Sequence, residues 1–210
     1  MYTFTQAQCY VPHIALPGGI PVVLASASPR RRELCAQMGL TFTVCPADCD
    51  ERYDPALPPL AAVELLATRK CEAAGRELRQ NTLVIASDTM VELDGRPLGK
   101  PKDAEDAKRM LGMLSGHRHF VRTGAAVSFG GKLLHTAAST AVTFRPLSEV
   151  EIADYVASGE PMDKAGAYAI QGAGGHFAVE VCGQRDTVVG LCCTELAQLI
   201  VRLLPEAVID

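Results

Sequence analysis

Ser26 and Ser28 stand just ahead of Pro29 and a run of three arginines, Arg30, Arg31 and Arg32. An apolar stretch, Pro21–Ser26, leads into them as a strand, and a helical pattern leaves from Pro29. Ser28 suits an N-cap, where its side-chain oxygen accepts from an orphan backbone N–H. Pro29 suits the first helical position, where a missing N–H costs nothing. Free amide donors and guanidinium groups would therefore converge at one helix N-terminus, a ready anion site, the plainer alternative being a capped helix with a solvated basic first turn. Cations are unfavourable at the positive end of a helix dipole, so an anionic ligand is expected to offset them.

Other charges gather at the ends of apolar segments. Ile85-Ala86-Ser87-Asp88-Thr89 puts a carboxylate directly after a buried strand. Asp48-Cys49-Asp50-Glu51 is an acidic turn, Lys70 follows Thr68-Arg69 on a helix, and Lys100 sits in the Gly/Pro turn Leu98-Gly99-Lys100-Pro101. The segment Glu160–Gly172 packs the pair Asp163-Lys164, several small residues and Gln171 into a loop entering a strand. Taken singly, these are ordinary caps, turns and surface lysines. Together they supply cations to neutralise phosphates and carboxylates to hold a hard divalent cation such as Mg²⁺, with substrate phosphates completing its shell. That inventory fits metal-assisted phosphate chemistry better than acyl transfer, which wants a Ser–His or Cys–His pair. An aspartyl-phosphate mechanism on Asp88 would need a second carboxylate two residues on, where Met90 stands.

The elements that must position these groups alternate between strand and helix. A helix from Pro29 stops near Gly39, Thr41–Cys45 has strand character, and Leu60–Leu78 reads as a helix rich in Ala, Leu, Glu and Arg. Thr82–Ser87 is an apolar run of the kind covered on both faces. Asp94-Gly95 signals a hairpin turn, and Asp103 with Asp106 resembles a capping box for a helix ending near Gly116. Strands Arg118–Phe129 and Lys132–Phe144 flank Gly130-Gly131, the clearest hairpin of the chain. Ser148 and Glu151 form a second box for a helix to Gly159. Short strands are expected near Phe177–Val181 and Thr187–Val189, then a helix over Cys193–Leu203. The fold class is α/β with a mixed sheet.

Composition narrows the partners. A net charge of −4 with 5% aromatics and no Trp argues against nucleic acid or anionic membranes, so any anion site is local. No apolar run reaches the length of a membrane span, and residues 1–20 lack a signal-peptide pattern. These residues read as an N-terminal extension ending in Pro17-Gly18-Gly19, ahead of one domain over 21–210. The expected location is the cytoplasm, with the eight cysteines as reduced thiols rather than a zinc site.

Ser26-Ala27-Ser28-Pro29-Arg30-Arg31, Ser87-Asp88-Thr89, Gly99-Lys100-Pro101 and Asp163-Lys164-Ala165-Gly166-Ala167-Tyr168 together resemble the Maf family of nucleoside triphosphate pyrophosphatases, from about Val22 to Leu204. The resemblance implies a twisted mixed sheet with flanking helices, forming two lobes around a nucleotide groove as in the inosine triphosphate pyrophosphatases. It implies hydrolysis between the α and β phosphates, with Asp88 as proton acceptor and Glu51 as a metal or water-activating partner. Ser26, Ser28, Arg31, Lys70, Lys100, Asp163 and Lys164 fall at substrate-binding positions, and Asp88 and Glu51 at metal positions, for Mg²⁺ with Mn²⁺ as the alternative. Arg30, Thr89 and Gln171 match the subgroup acting on dTTP and UTP. A carboxamide such as Gln171 donates and accepts at once, which suits the imide edge of thymine or uracil. A homodimer is common in the family. Because members have been associated with septum inhibition, the competing expectation is a nucleotide-binding regulator of cell division without turnover.

Overall fold

The computed structural model describes residues 10–210, so the extension before Tyr10 lies outside the described residues. In chain order the elements are β1 Ile14–Ala15, β2 Val22–Leu24, α1 Pro29–Gln37, β3 Thr43–Val44, α2 Pro59–Gly75, β4 Leu83–Leu93, β5 Arg96–Leu98 and α3 Ala104–Leu114. Then come β6 Arg118–Phe129, β7 Lys132–Phe144, α4 Glu149–Ala157, β8 Ala178–Cys182, α5 Arg185–Val189, α6 Cys193–Leu203 and β9 Val208–Ile209. Short 3-10 turns, Glu160–Asp163, Ala165–Ala167 and Ala173–Phe177, fill the stretch between α4 and β8.

Seven strands form one mixed sheet in the order β3-β2-β4-β6-β7-β8, with β5 also on β4. β2 runs parallel to β3 and β4, and the remaining pairs are antiparallel. Side chains alternate across a strand, so β4 serves two cores. Leu83, Ile85, Val91 and Leu93 enter the main core, shared with α1, α3 and α6. Val84, Ala86 and Met90 lie beneath α2, against Ala67, Cys71, Ala62 and Val63.

The expected hairpin forms with Phe129 opposite Lys132, as its glycine pair demands. α4 has the full capping box, with the Ser148 hydroxyl on the Glu151 amide and the Glu151 carboxylate on the Ser148 amide. α3 has half of one: Asp103 accepts from Asp106 N at 2.8 Å, but the Asp106 carboxylate reaches back to Lys102 N. Two expectations are corrected. Thr187–Val189 belongs to a helix rather than a strand: the buried Asp186 carboxylate accepts from Thr187 N at 2.9 Å and Cys193 N at 2.7 Å, closing a turn that β-branched propensity disfavours. Asp88 lies within β4 rather than after it, because pairing with β6 continues from Val84 to Glu92. Ahead of β2, Ile14–Ala15 pairs with Val208–Ile209 and Ile14 is buried.

Candidate active site

β6 occupies one edge of β4 along most of its length. The other edge is shared: β2 covers Val22↔Leu83 to Leu24↔Ile85, and β5 begins at Leu98↔Val91. Between Ile85 and Val91 that edge carries no partner strand among the described residues. A cleft of about 420 Å³ opens at this gap, lined by Ser26, Arg31, Glu51, Lys70, Thr89, Lys100 and Gln171 among others. Thr89 and Val91 of β4 line this space, and Lys70 reaches it from α2. Asp88 faces α2 while Thr89 faces α1.

On the α2 face, Lys70 Nζ donates to Asp88 Oδ1 at 2.6 Å and pairs with Glu51 Oε1 at 2.8 Å. The Lys70 and Asp88 side chains are only 13% and 14% exposed, so this is a shielded pair, whereas Glu51 remains open. Burial works against the Lys70 ammonium, yet the two facing carboxylates outweigh it and raise its pKa above the ordinary lysine value. The same hydrogen bond holds the Glu51 carboxyl below its usual range, against the opposing effect of burial. Close approach of α2 makes the contact reachable. Gly124 lies opposite Asp88 in β6, and a Cβ there would overlap the backbone carbonyl of Val63, two helical turns before Lys70. Arg69 contributes from the same helix: its guanidinium donates to the carbonyl oxygens of Asp50 and Arg52, on either side of Glu51.

On the α1 face the cap forms as the sequence suggests, although loosely, with Arg31 N on Ser28 Oγ at 3.5 Å. Ser26 Oγ accepts from Ser28 N at 3.2 Å and from Arg31 Nη1 at 3.2 Å. The Arg31 guanidinium also donates from Nε to the Gly190 carbonyl at 2.8 Å and from Nη2 to Thr89 Oγ1 at 3.1 Å. Its burial lowers its pKa, with Asp88 opposing. Arg31 thus clasps three elements together at the floor of the cleft, with every nitrogen engaged. Thr123 Oγ1 gives its proton to the Thr187 carbonyl at 2.7 Å, so Thr89 must donate to Thr123 and accept from Arg31. Ser87 Oγ adds a second donor to the Gly190 carbonyl at 3.0 Å.

The remaining cations line the mouth. Arg30 faces Asp163 at 3.8 Å, and Lys164 Nζ donates to both the Asp163 carboxylate and the Glu160 carbonyl. Lys164 holds the Asp163 carboxyl below its usual range. The turn carrying Lys100 is tied to this loop by Gly166 N on the Gly99 carbonyl at 3.0 Å. Gln171 is exposed and lines the same cleft, as do Tyr168, Ile170, Val121 and Val188. Tyr168 is fixed from behind by buried His119, whose Nε2 lies 2.9 Å from its hydroxyl. Burial pushes the His119 pKa down to about 4, leaving that ring neutral at pH 7.

The structure therefore brings Ser26, Ser28, Arg30, Arg31, Glu51, Lys70, Thr89, Lys100, Asp163, Lys164 and Gln171 to one cleft, with Asp88 on Lys70 at its edge. Sequence reasoning missed Arg69, Ser87, Thr123 and Gly190. These act largely through backbone carbonyls or buried hydroxyls, which no side-chain pattern announces. Among the described residues no group of three or more His, Cys, Asp or Glu side chains could hold a metal by protein ligands alone.

Known proteins resemble this chain closely. A dTTP/UTP pyrophosphatase of Anaeromyxobacter dehalogenans is 51% identical over 185 residues, covering 86% of this chain and 93% of that one. Proteins of the same name from Moorella thermoacetica and Shewanella denitrificans are 49% and 46% identical, over 85% and 88% of this chain. The solved Ham1 protein of Staphylococcus aureus shares the fold, with a TM-score of 0.50 at 16% identity over 87% of this chain and 99% of its own. The Maf family, described as Maf-like protein, matches residues 21–203, and the chain belongs to that family.

Proposed function

We propose that the protein hydrolyses dTTP and UTP between the α and β phosphates, giving the nucleoside monophosphate and pyrophosphate. The observation that carries this reading is the shielded Lys70–Asp88 pair, joined by Glu51, at the end of a cleft whose other walls carry Arg30, Lys100 and Lys164. The triphosphate runs along those cations, which offset its charge as the transition state develops. Asp88 takes the proton of a water aligned for attack on the α phosphorus, with Glu51 orienting that water. The base points toward Gln171, where the carboxamide meets the imide edge.

Asp88 and Glu51 also suit a hard divalent cation. Lys70 engages Oδ1 of Asp88 and Oε1 of Glu51, leaving the second oxygen of each carboxylate, and two carboxylates are the usual protein share of a Mg²⁺ site. When bound there, Mg²⁺ or Mn²⁺ supplies charge neutralisation and an acidified water. The cytoplasm is the proposed compartment, consistent with seven free cysteines among the described residues.

The test is pyrophosphate release from dTTP and UTP with Mg²⁺ or Mn²⁺, comparing wild type with Asp88→Asn. Loss of a general base predicts a fall of about 10²–10⁴-fold in kcat. Equal rates for the two proteins would remove Asp88 from the chemistry. Tight nucleotide binding by the wild type without any release would favour the regulator over the enzyme.

A further inference from the structure

Gln171 sits in a loop, and loops do not fix a carboxamide by themselves. Its neighbours on both sides are held from behind by a single pair of side chains. Tyr155, buried near the end of α4, accepts from Ala169 N at 3.1 Å through its hydroxyl, two residues before Gln171. The same hydroxyl donates to Glu160 Oε1 at 2.8 Å. Glu160 in turn accepts from Ala173 N at 3.2 Å and Gly174 N at 3.3 Å, two and three residues after Gln171. A Cβ at Gly172 would overlap the Glu160 carboxylate, so the chain wraps directly onto it. Arg185 adds a bond to the Ile170 carbonyl at 3.2 Å. The brace therefore grips the peptide groups that flank Gln171 and touches neither the cleft floor nor the Lys70 end.

We propose that Glu160 and Tyr155 are positioning residues that set the stance of Gln171 in the cleft, and through it the preference for a thymine or uracil base over other bases. This rests on the reading of Gln171 as the group that meets the base. The physical logic is that a carboxamide discriminates only while its donor and acceptor stay in register with the base edge. A displacement of about 1 Å is enough to lose that register. The state of Glu160 suits the task. Burial opposes its ionisation, but the Tyr155 hydroxyl, the two loop amides and Lys164 together hold its carboxyl below the usual range. It is an acceptor at neutral pH, as three incoming donors require.

The discriminating pair of substrates is dTTP and dCTP. Thymine presents an N3–H beside O4, whereas cytosine presents a bare N3 beside an amino group, so a carboxamide locked in one orientation tells them apart. The experiment measures kcat/KM for both nucleotides in wild type, Tyr155→Phe, Glu160→Ala, Glu160→Gln and Gln171→Ala, with Tm recorded for each. The expected result is a drop of about tenfold in the dTTP:dCTP ratio for Tyr155→Phe and Glu160→Ala, carried by KM for dTTP. Glu160→Gln keeps one acceptor oxygen and should recover part of the ratio. A merely structural brace predicts lower Tm and an equal loss on both nucleotides, leaving the ratio untouched. An unchanged ratio in the Tyr155 and Glu160 variants, with a changed one in Gln171→Ala, overturns the proposal alone. An unchanged ratio in Gln171→Ala overturns the reading beneath it as well.

Discussion

Two parts of the cleft wall, the Lys70 end and the Gln171 end, are built by opposite means. At the Lys70 end, charged side chains from an acidic loop, α2 and β4 neutralise one another, and the protein backbone enters chiefly as the surface that brings α2 close. At the Gln171 end the group proposed to face the ligand is uncharged, and the backbone amides on either side of it are tied to Tyr155 and Glu160. In the proposed reaction, the first arrangement concentrates charge where charge develops during phosphoryl transfer. The second holds a neutral hydrogen-bonding edge in register, which is what discrimination between bases needs. The difference predicts that damage at one end should appear in the rate and its pH profile, and damage at the other in selectivity.

The strongest way to break that comparison is Lys70→Met. It leaves Asp88 shielded beside Glu51 with no cation between them, and an uncompensated charge in such a site is costly. We expect kcat/KM to fall by about 10³-fold on dTTP and dCTP alike, since binding and transition-state charge both lose a partner. The pH profile should also move. Lys70 holds the Glu51 carboxyl below its usual range, so its removal lets that pKa rise, and the acid limb of the rate profile shifts to higher pH. A large loss of selectivity with little change in rate would dissolve the division between the two ends.

Acid should strike the Gln171 end through its support. His119 packs edge-on against Phe144 and Tyr168 at ring distances of 4.8 and 5.4 Å, with a pKa pushed from 6.5 down to about 4 by burial. The unfolded chain takes up this proton near pH 6.5 and the folded one only near pH 4. Stability is therefore complete above pH 6.5 and declines as pH falls from 6.5 toward 4, by up to about 3 kcal/mol from this group. His119→Gln keeps a polar atom for Tyr168 and has no proton to take. Chemical denaturation across that range should show a flatter profile for the variant, and equal slopes would remove His119 as the source.

The contrast between the ends also explains what the sequence discloses. Charged residues declare themselves by type, so Asp88, Glu51, Lys70, Lys100 and Lys164 stand out as candidates in the chain, while their individual roles follow only from the resemblance to the Maf family. The long hairpin and the α4 capping box are legible because turn glycines and cap spacing are local signals. The full length of β4 is not, because Asp88 and Thr89 interrupt its apolar run after Ser87. Its alternation nevertheless continues through them, one side chain finding Lys70 and the other Arg31. α5 carries the strand signal of Thr187, Val188 and Val189, and a distant cap, Asp186 on Cys193 N, overrides that β-branched preference. The backbone grips of Arg69, Tyr155 and Glu160 leave no pattern, since any residue offers the same carbonyl and amide.

Gly124→Ala should have the smallest effect, and it sharpens the comparison most. The substitution touches no charged group, and its added methyl meets the Val63 carbonyl on the side of α2 that leads to Lys70. Overpacking of this kind costs about 1–3 kcal/mol as helix and sheet separate. Moving α2 outward also lengthens the 2.6 Å contact between Lys70 and Asp88. We expect a lower denaturation midpoint together with a fall of about tenfold in kcat, because small displacements of reacting groups are amplified in rate. The dTTP:dCTP ratio should stay at its wild-type value, since the brace on Gln171 lies on other elements. If the ratio fell with the rate, α2 would be coupled to the Gln171 loop and the two ends would act as one unit. If kcat held while stability dropped, the Lys70–Asp88 contact would not depend on the close approach of α2 at Gly124.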